Sequence, residues 1–76
     1  MKDFKYEIVE HLGTVSTSPD GKYATEVNMI SYNNARPKVD IRTWNKEEGK
    51  MYKGITLNNY EVKQLLQILL SMEESK

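Results

Sequence analysis

Between residues 38 and 57 the chain reads KVDIRTWNKEEGKMYKGITL, a run that holds the single Trp, one Arg and four Lys. Aromatic rings beside cations suit single-stranded nucleic acid, because a ring stacks on an unpaired base while Lys or Arg neutralises phosphate. Lys38, Arg42 and Trp44 fall on one parity of an extended segment, and Lys53 follows in the next. Other chemistries find little support. With no Cys and one His, His11, the chain has no thiolate nucleophile, no disulfide framework and no Cys/His metal cluster. A glycine-rich phosphate loop is missing, and the adjacent acids Glu47-Glu48 and Glu73-Glu74 lie in polar surroundings where a raised pKa is not expected. No catalytic residue, metal site or cofactor is expected.

The formal net charge is zero over 76 residues, which conceals a division along the chain. Residues 36–53 carry six cations against three acids, while the segments before and after are both acidic. So few residues form one small domain, here residues 1–76, with a core that is marginal for a lone monomer, and a dimer is expected. The absence of Cys suits a reducing compartment. The N-terminus lacks a signal-like apolar region, and residues 65–70 are far too short a run for a membrane span, so a soluble, cytoplasmic protein is expected.

Turn signals divide the first two thirds into four strands that must position the cluster. The first spans residues 4–16, with Phe4, Tyr6, Ile8 and Leu12 on one parity, Val9 and Val15 on the other, and a twist or bulge near Gly13. SPDGK closes a hairpin, and the second strand covers residues 23–33 with Val27, Met29 and Ile30 inward. NNARP turns into the third strand, residues 38–44. There Val39, Ile41 and Thr43 share the expected core face, and Lys38, Asp40, Arg42 and Trp44 share the expected open face. NKEEGK turns through a left-handed Gly49. The fourth strand, residues 51–57, needs a bulge at Gly54 if Lys53 is to point outward. A helix follows, capped by Asn58 with Glu61 three residues on, and continues to about Met72. Its apolar residues spread over roughly 200°, wider than one sheet face requires. Leu65, Ile68, Leu69 and Met72 are therefore the expected dimer interface.

Four antiparallel strands and a C-terminal helix, with Asp40-Ile41-Arg42, an aromatic soon after, and Lys53-Gly54-Ile55-Thr56-Leu57 opening into the helix, make the chain resemble a known family. It is similar to the single-stranded-DNA-binding domain of the transcriptional positive cofactor four family, and more closely to small bacterial members of the YdbC type. The resemblance covers nearly the whole chain. It implies an α+β homodimer in which curved sheets hold single-stranded DNA, with little sequence preference, on the face away from the helices. Arg42, Trp44 and Lys53 match the family's motif positions, Tyr32 lies where bacterial relatives place an aromatic, and Lys38 shares the open face. The chain lacks the Ser- and Lys-rich tail of eukaryotic members, and regulatory roles assigned to that tail do not transfer.

Each residue also has a plainer reading. Trp44 could pack at the sheet edge or under the NKEEGK loop, Asp40 could do no more than pair with a cross-strand Lys or Arg, Arg42 could be structural, and Lys46 belongs with a solvated turn. His11 reads as an ordinary strand residue, and Tyr6, Tyr23, Tyr52 and Tyr60 as packing. The competing function is a protein-interaction module that uses the sheet edge or the surplus apolar surface of the helix. On the leading reading the partner is single-stranded DNA, with RNA open, and the role lies in transcription or DNA repair.

Overall fold

A computed structural model describes residues 5–74 and shows four antiparallel strands followed by one helix. The strands β1 (Tyr6–Thr17), β2 (Tyr23–Tyr32), β3 (Lys38–Asn45) and β4 (Lys50–Leu57) lie side by side in chain order. The helix α1 (Asn59–Glu74) touches only β3 and β4. Phe4, expected to open the first strand, lies outside the described residues. Among those residues no helix is long and apolar enough to cross a membrane.

Local chemistry sets the boundaries. In the first hairpin Asp20 Oδ1 accepts from Ser18 Oγ (2.7 Å) and Lys22 N (3.0 Å), which fixes the turn before β2. The β2–β3 turn takes its left-handed conformations at Asn33 and Asn34, whose φ angles are 52° and 65°. In the β3–β4 turn the left-handed residue is Gly49, with φ of 68°, as its position in NKEEGK leads one to expect. The helix start is a reciprocal capping box: Glu61 N donates to Asn58 Oδ1 (2.8 Å), and Asn58 N donates to Glu61 Oε1 (2.9 Å).

Bulges give the sheet its shape. In β1 the pairing with β2 slips three times, at Val9, Leu12 and Val15, where the single expected irregularity near Gly13 would have produced one. Each slip adds a residue to β1, and each raises the local twist. The expected bulge before Gly54 is present, with Tyr52 and Lys53 together opposing Thr43. Coiling follows: Tyr32 and Ala24 are eight positions apart on β2, about 26 Å in a straight strand. Yet the ring of Tyr32 and the ring of Trp44, which pairs with Ala24, both reach the same Tyr6 ring. The face bearing Tyr6, Tyr32 and Trp44 is therefore concave.

Curvature reverses the expected order of burial. Opposed residues share a sheet face, so Ala24, Glu26, Asn28 and Ile30 of β2 join Lys38, Asp40, Arg42 and Trp44 of β3 on the concave side. Six of the nine buried residues among those described belong to it, including Asp40 at 0 % and Trp44 at 4 % exposure. Val39, Ile41 and Thr43, expected to form the covered face, are only half-buried. The sheet encloses its concave face by coiling, whereas the outer face stays half open.

Candidate nucleic-acid interface

The floor of the concave face is a hydrogen-bonded polar network centred on Asp40. Arg42 donates to it twice, from Nε to Oδ1 at 2.6 Å and from Nη2 to Oδ2 at 2.8 Å. The Tyr32 and Thr56 hydroxyls each donate to Oδ2 at 2.8 Å. Arg42 and Asp40 occupy alternate positions of β3, and Thr56 faces Asp40 across β4, so strand register alone brings these groups together. Burial raises the pKa of Asp40, but the bonds from Arg42, Tyr32 and Thr56 outweigh it and hold the carboxyl below its ordinary 3.8.

Gly54 makes this geometry possible. A Cβ at Gly54 would overlap Arg42 Cβ and come within 2.6 Å of the Ile41 carbonyl oxygen. The missing side chain lets Arg42 lie over β4, where Nη1 donates to the Tyr52 carbonyl at 2.9 Å. These three bonds leave two guanidinium N–H groups for another acceptor. The Arg42 side chain is 14 % exposed, so that acceptor must approach along the face.

A second network lies alongside. Lys46 Nζ donates to Glu26 Oε2 at 2.7 Å, Asn28 Nδ2 donates to Glu26 Oε1 at 3.4 Å, and His11 Nδ1 donates to Asn28 Oδ1 at 2.7 Å. Burial pushes the Glu26 pKa up, but the bonds from Lys46 and Asn28 prevail and place it below 4.5. Lys46 and His11 stay about half exposed, as a turn and a strand residue would, but each also caps the buried pair Glu26 and Asn28. The two buried acids are matched by Arg42 and Lys46, which balances the charge of the floor.

The expected binding residues therefore divide. Lys38 and Lys53 are exposed and enter none of the ion pairs found among the described residues. Lys38 stands on the concave face opposite Ile30, and Lys53 sits in the β4 bulge. Arg42 is bound to Asp40, and Tyr32 is half-buried with its hydroxyl on the same carboxylate. Trp44 corrects the expectation of an exposed indole. It lies behind Tyr6 with ring centroids 5.8 Å apart, and its buried Nε1–H has no hydrogen-bond partner. The indole contributes packing where stacking on a base had been expected.

Sequence reasoning missed Asp40 as a hub and Tyr6 as a concave-face ring. The signal for Asp40 was its place in an alternating strand between Lys38 and Arg42, which periodicity cannot separate from a solvated acid. On α1 only Val62 and Leu65 are half-buried, while Leu66, Ile68, Leu69, Leu70 and Met72 are 48–63 % exposed. Among the described residues no group of three or more His, Cys, Asp or Glu is placed to hold a metal ion.

Comparison with known proteins agrees with this architecture. The sequence profile of a family described as Transcriptional Coactivator p15 (PC4) matches residues 21–68, from the first turn into α1. An uncharacterized protein of Treponema pallidum (strain Nichols) is 43 % identical over 70 residues, covering 92 % of this chain and 81 % of that protein.

Proposed function

Because the chain belongs to the family described as Transcriptional Coactivator p15 (PC4), we propose that it binds single-stranded DNA along the concave sheet face of a homodimer, without catalysis. The observation that carries this reading is a charge-balanced concave face that holds three aromatic rings and the exposed Lys38, with Lys53 exposed in the β4 bulge. Lys38 and Lys53 meet phosphates, and Arg42 adds its two remaining N–H groups. Tyr32 and Trp44 shape the aromatic wall. None of these groups is arranged to read base edges, so sequence preference is low. RNA shares the phosphate and base chemistry and is the natural competitor. A role in transcription fits the family description, and a role in DNA repair would use the same surface.

The helix supports the dimer. Ile68, Leu69 and Met72, with Leu65 at the margin, form an apolar surface that the chain's own sheet does not cover. A second copy buries it and doubles the lysine rim, which offsets the zero net charge of one chain. A protein-interaction module is the second reading, favoured by the same exposed helix face. Both readings expect a dimer, so oligonucleotide binding rather than sedimentation separates them.

The direct test is fluorescence anisotropy of labelled oligothymidine, a duplex of equal length and oligouridine across a salt series. The proposal expects tight single-strand binding, much weaker duplex binding, and an affinity that falls by about 0.7 log unit per phosphate contact for each tenfold rise in salt. Absence of single-strand binding at low salt, or equal duplex binding, refutes it.

A further inference from the structure

We infer that Tyr6 is the ring on which an unpaired base stacks, with Trp44 and Tyr32 as the wall that holds it in place. This rests on the single-strand reading above and assigns its stacking step to a particular side chain. Register with Tyr32 places Tyr6 on the concave face. Its ring centroid is 6.4 Å from that of Tyr32 and 5.8 Å from that of Trp44, tilted by 49° and 55°. Trp44 has no surface left to offer a base, and Tyr32 is half-buried with its hydroxyl held by Asp40. Tyr6 is 37 % exposed, the most accessible of the three.

The other exposed rings lie elsewhere. Tyr23 pairs with Asn45, on the opposite parity to Trp44, and meets Tyr52 edge-on at 5.6 Å between centroids. That pair belongs to the outer side of the sheet. Tyr60 opens α1. Among the described residues, Tyr6 is the one exposed ring on the face that carries Lys38. Ile8, Ile30 and Lys38 form one row across β1, β2 and β3, and Tyr6 stands in the next row. Two strand spacings across the sheet, about 10 Å, and a two-residue step along it, about 7 Å, therefore put the Tyr6 and Lys38 backbone positions about 12 Å apart, so one strand of nucleic acid can stack on Tyr6 while a phosphate meets Lys38. Held on two sides by other rings, the Tyr6 ring is ordered before the base arrives, which lowers the entropy lost on binding.

The test compares Tyr6→Leu, Tyr6→Phe and Tyr6→Trp for binding to labelled oligothymidine. Leucine keeps Trp44 covered but removes the π face, and it is expected to weaken binding roughly tenfold with an unchanged salt slope. Phenylalanine and tryptophan should bind within about threefold of the natural chain, since either ring supplies a stacking face. As a check that requires no variant, irradiating the natural protein with iodouracil-substituted single strand should place the crosslink on Tyr6. Unchanged affinity in Tyr6→Leu, or crosslinks confined to other aromatic residues, overturns the assignment while single-strand binding by the natural chain keeps the wider reading intact. If the natural chain binds no oligothymidine, both fall.

Discussion

The two faces of this sheet invert the usual relation between polarity and burial. The concave face carries Asp40, Glu26 and Asn28, yet it is the better buried, while the outer face carries Val27, Met29, Val39 and Ile41 and is only half covered. Coiling explains the first fact. A sheet bent by bulges brings its long side chains together over their own strands, and the polar groups so enclosed survive because they bond one another. The second fact leaves apolar side chains that the chain itself does not cover. Polar network and apolar patch are therefore complementary: one holds the concave face rigid, and the other stays open.

The largest effect expected from disturbing the concave side is on stability. Asp40→Ala removes the acceptor that satisfies Arg42, Tyr32 and Thr56, and breaking such a pair costs about 3 kcal/mol, the low end of the range, because Arg42 can turn toward water. For a domain this small that loss is a large fraction of the total, so urea unfolding should show a collapsed midpoint. An unchanged midpoint would mean that the network does not hold the floor together.

Gly54→Ala should cost about 1–3 kcal/mol, because its methyl group must displace Arg42 from β4. The same change on the outer side, Ile55→Ala, removes methyl groups from a side chain that is already 54 % exposed and should cost less. Comparing their unfolding midpoints measures the difference between the two faces.

Acid should act on the concave face first. Asp40 and Glu26 both have folded pKa values below their ordinary 3.8 and 4.5. A depressed carboxylate contributes stability that is fully present above its unfolded pKa and lost as pH falls through the folded value. The urea midpoint should therefore be level above about pH 5 and decline below about pH 4. Asp40→Asn should start lower and decline less steeply.

The smallest effects belong to the rim. Lys38→Ala and Lys53→Ala should leave the unfolding midpoint within about 0.5 kcal/mol of the natural chain. Each should lower the salt slope of oligothymidine binding by about 0.7. Arg42→Ala should instead lose stability and affinity together, since that guanidinium also supports the floor.

What the sequence revealed and what it hid follow from range. The Asn58-Glu61 capping box, the left-handed Gly49, and the bulge before Gly54 are decided by neighbours within a few residues, and each is legible in the chain. The face of β3 that is buried is decided by coiling, which depends on how twelve residues of β1 register on ten of β2. Val9, Leu12 and Val15 carried a signal, since apolar residues every three positions do not fit a strand of period two. Nothing local indicated that Tyr6 and Trp44, 38 positions apart, would meet and cover the indole. The exposure of Lys38 and Lys53 was legible because a lysine at a strand start or in a bulge is seldom buried without an acid to pair with.

The measurement that bears most directly on this account is an amide chemical-shift map of the natural protein titrated with oligothymidine. Shifts concentrated at Tyr6, Tyr32, Lys38, Arg42 and Lys53, with Val27, Ile41 and Ile68 unmoved, are the result the account predicts. Shifts concentrated on α1 and the outer face, with the concave residues silent, would contradict it.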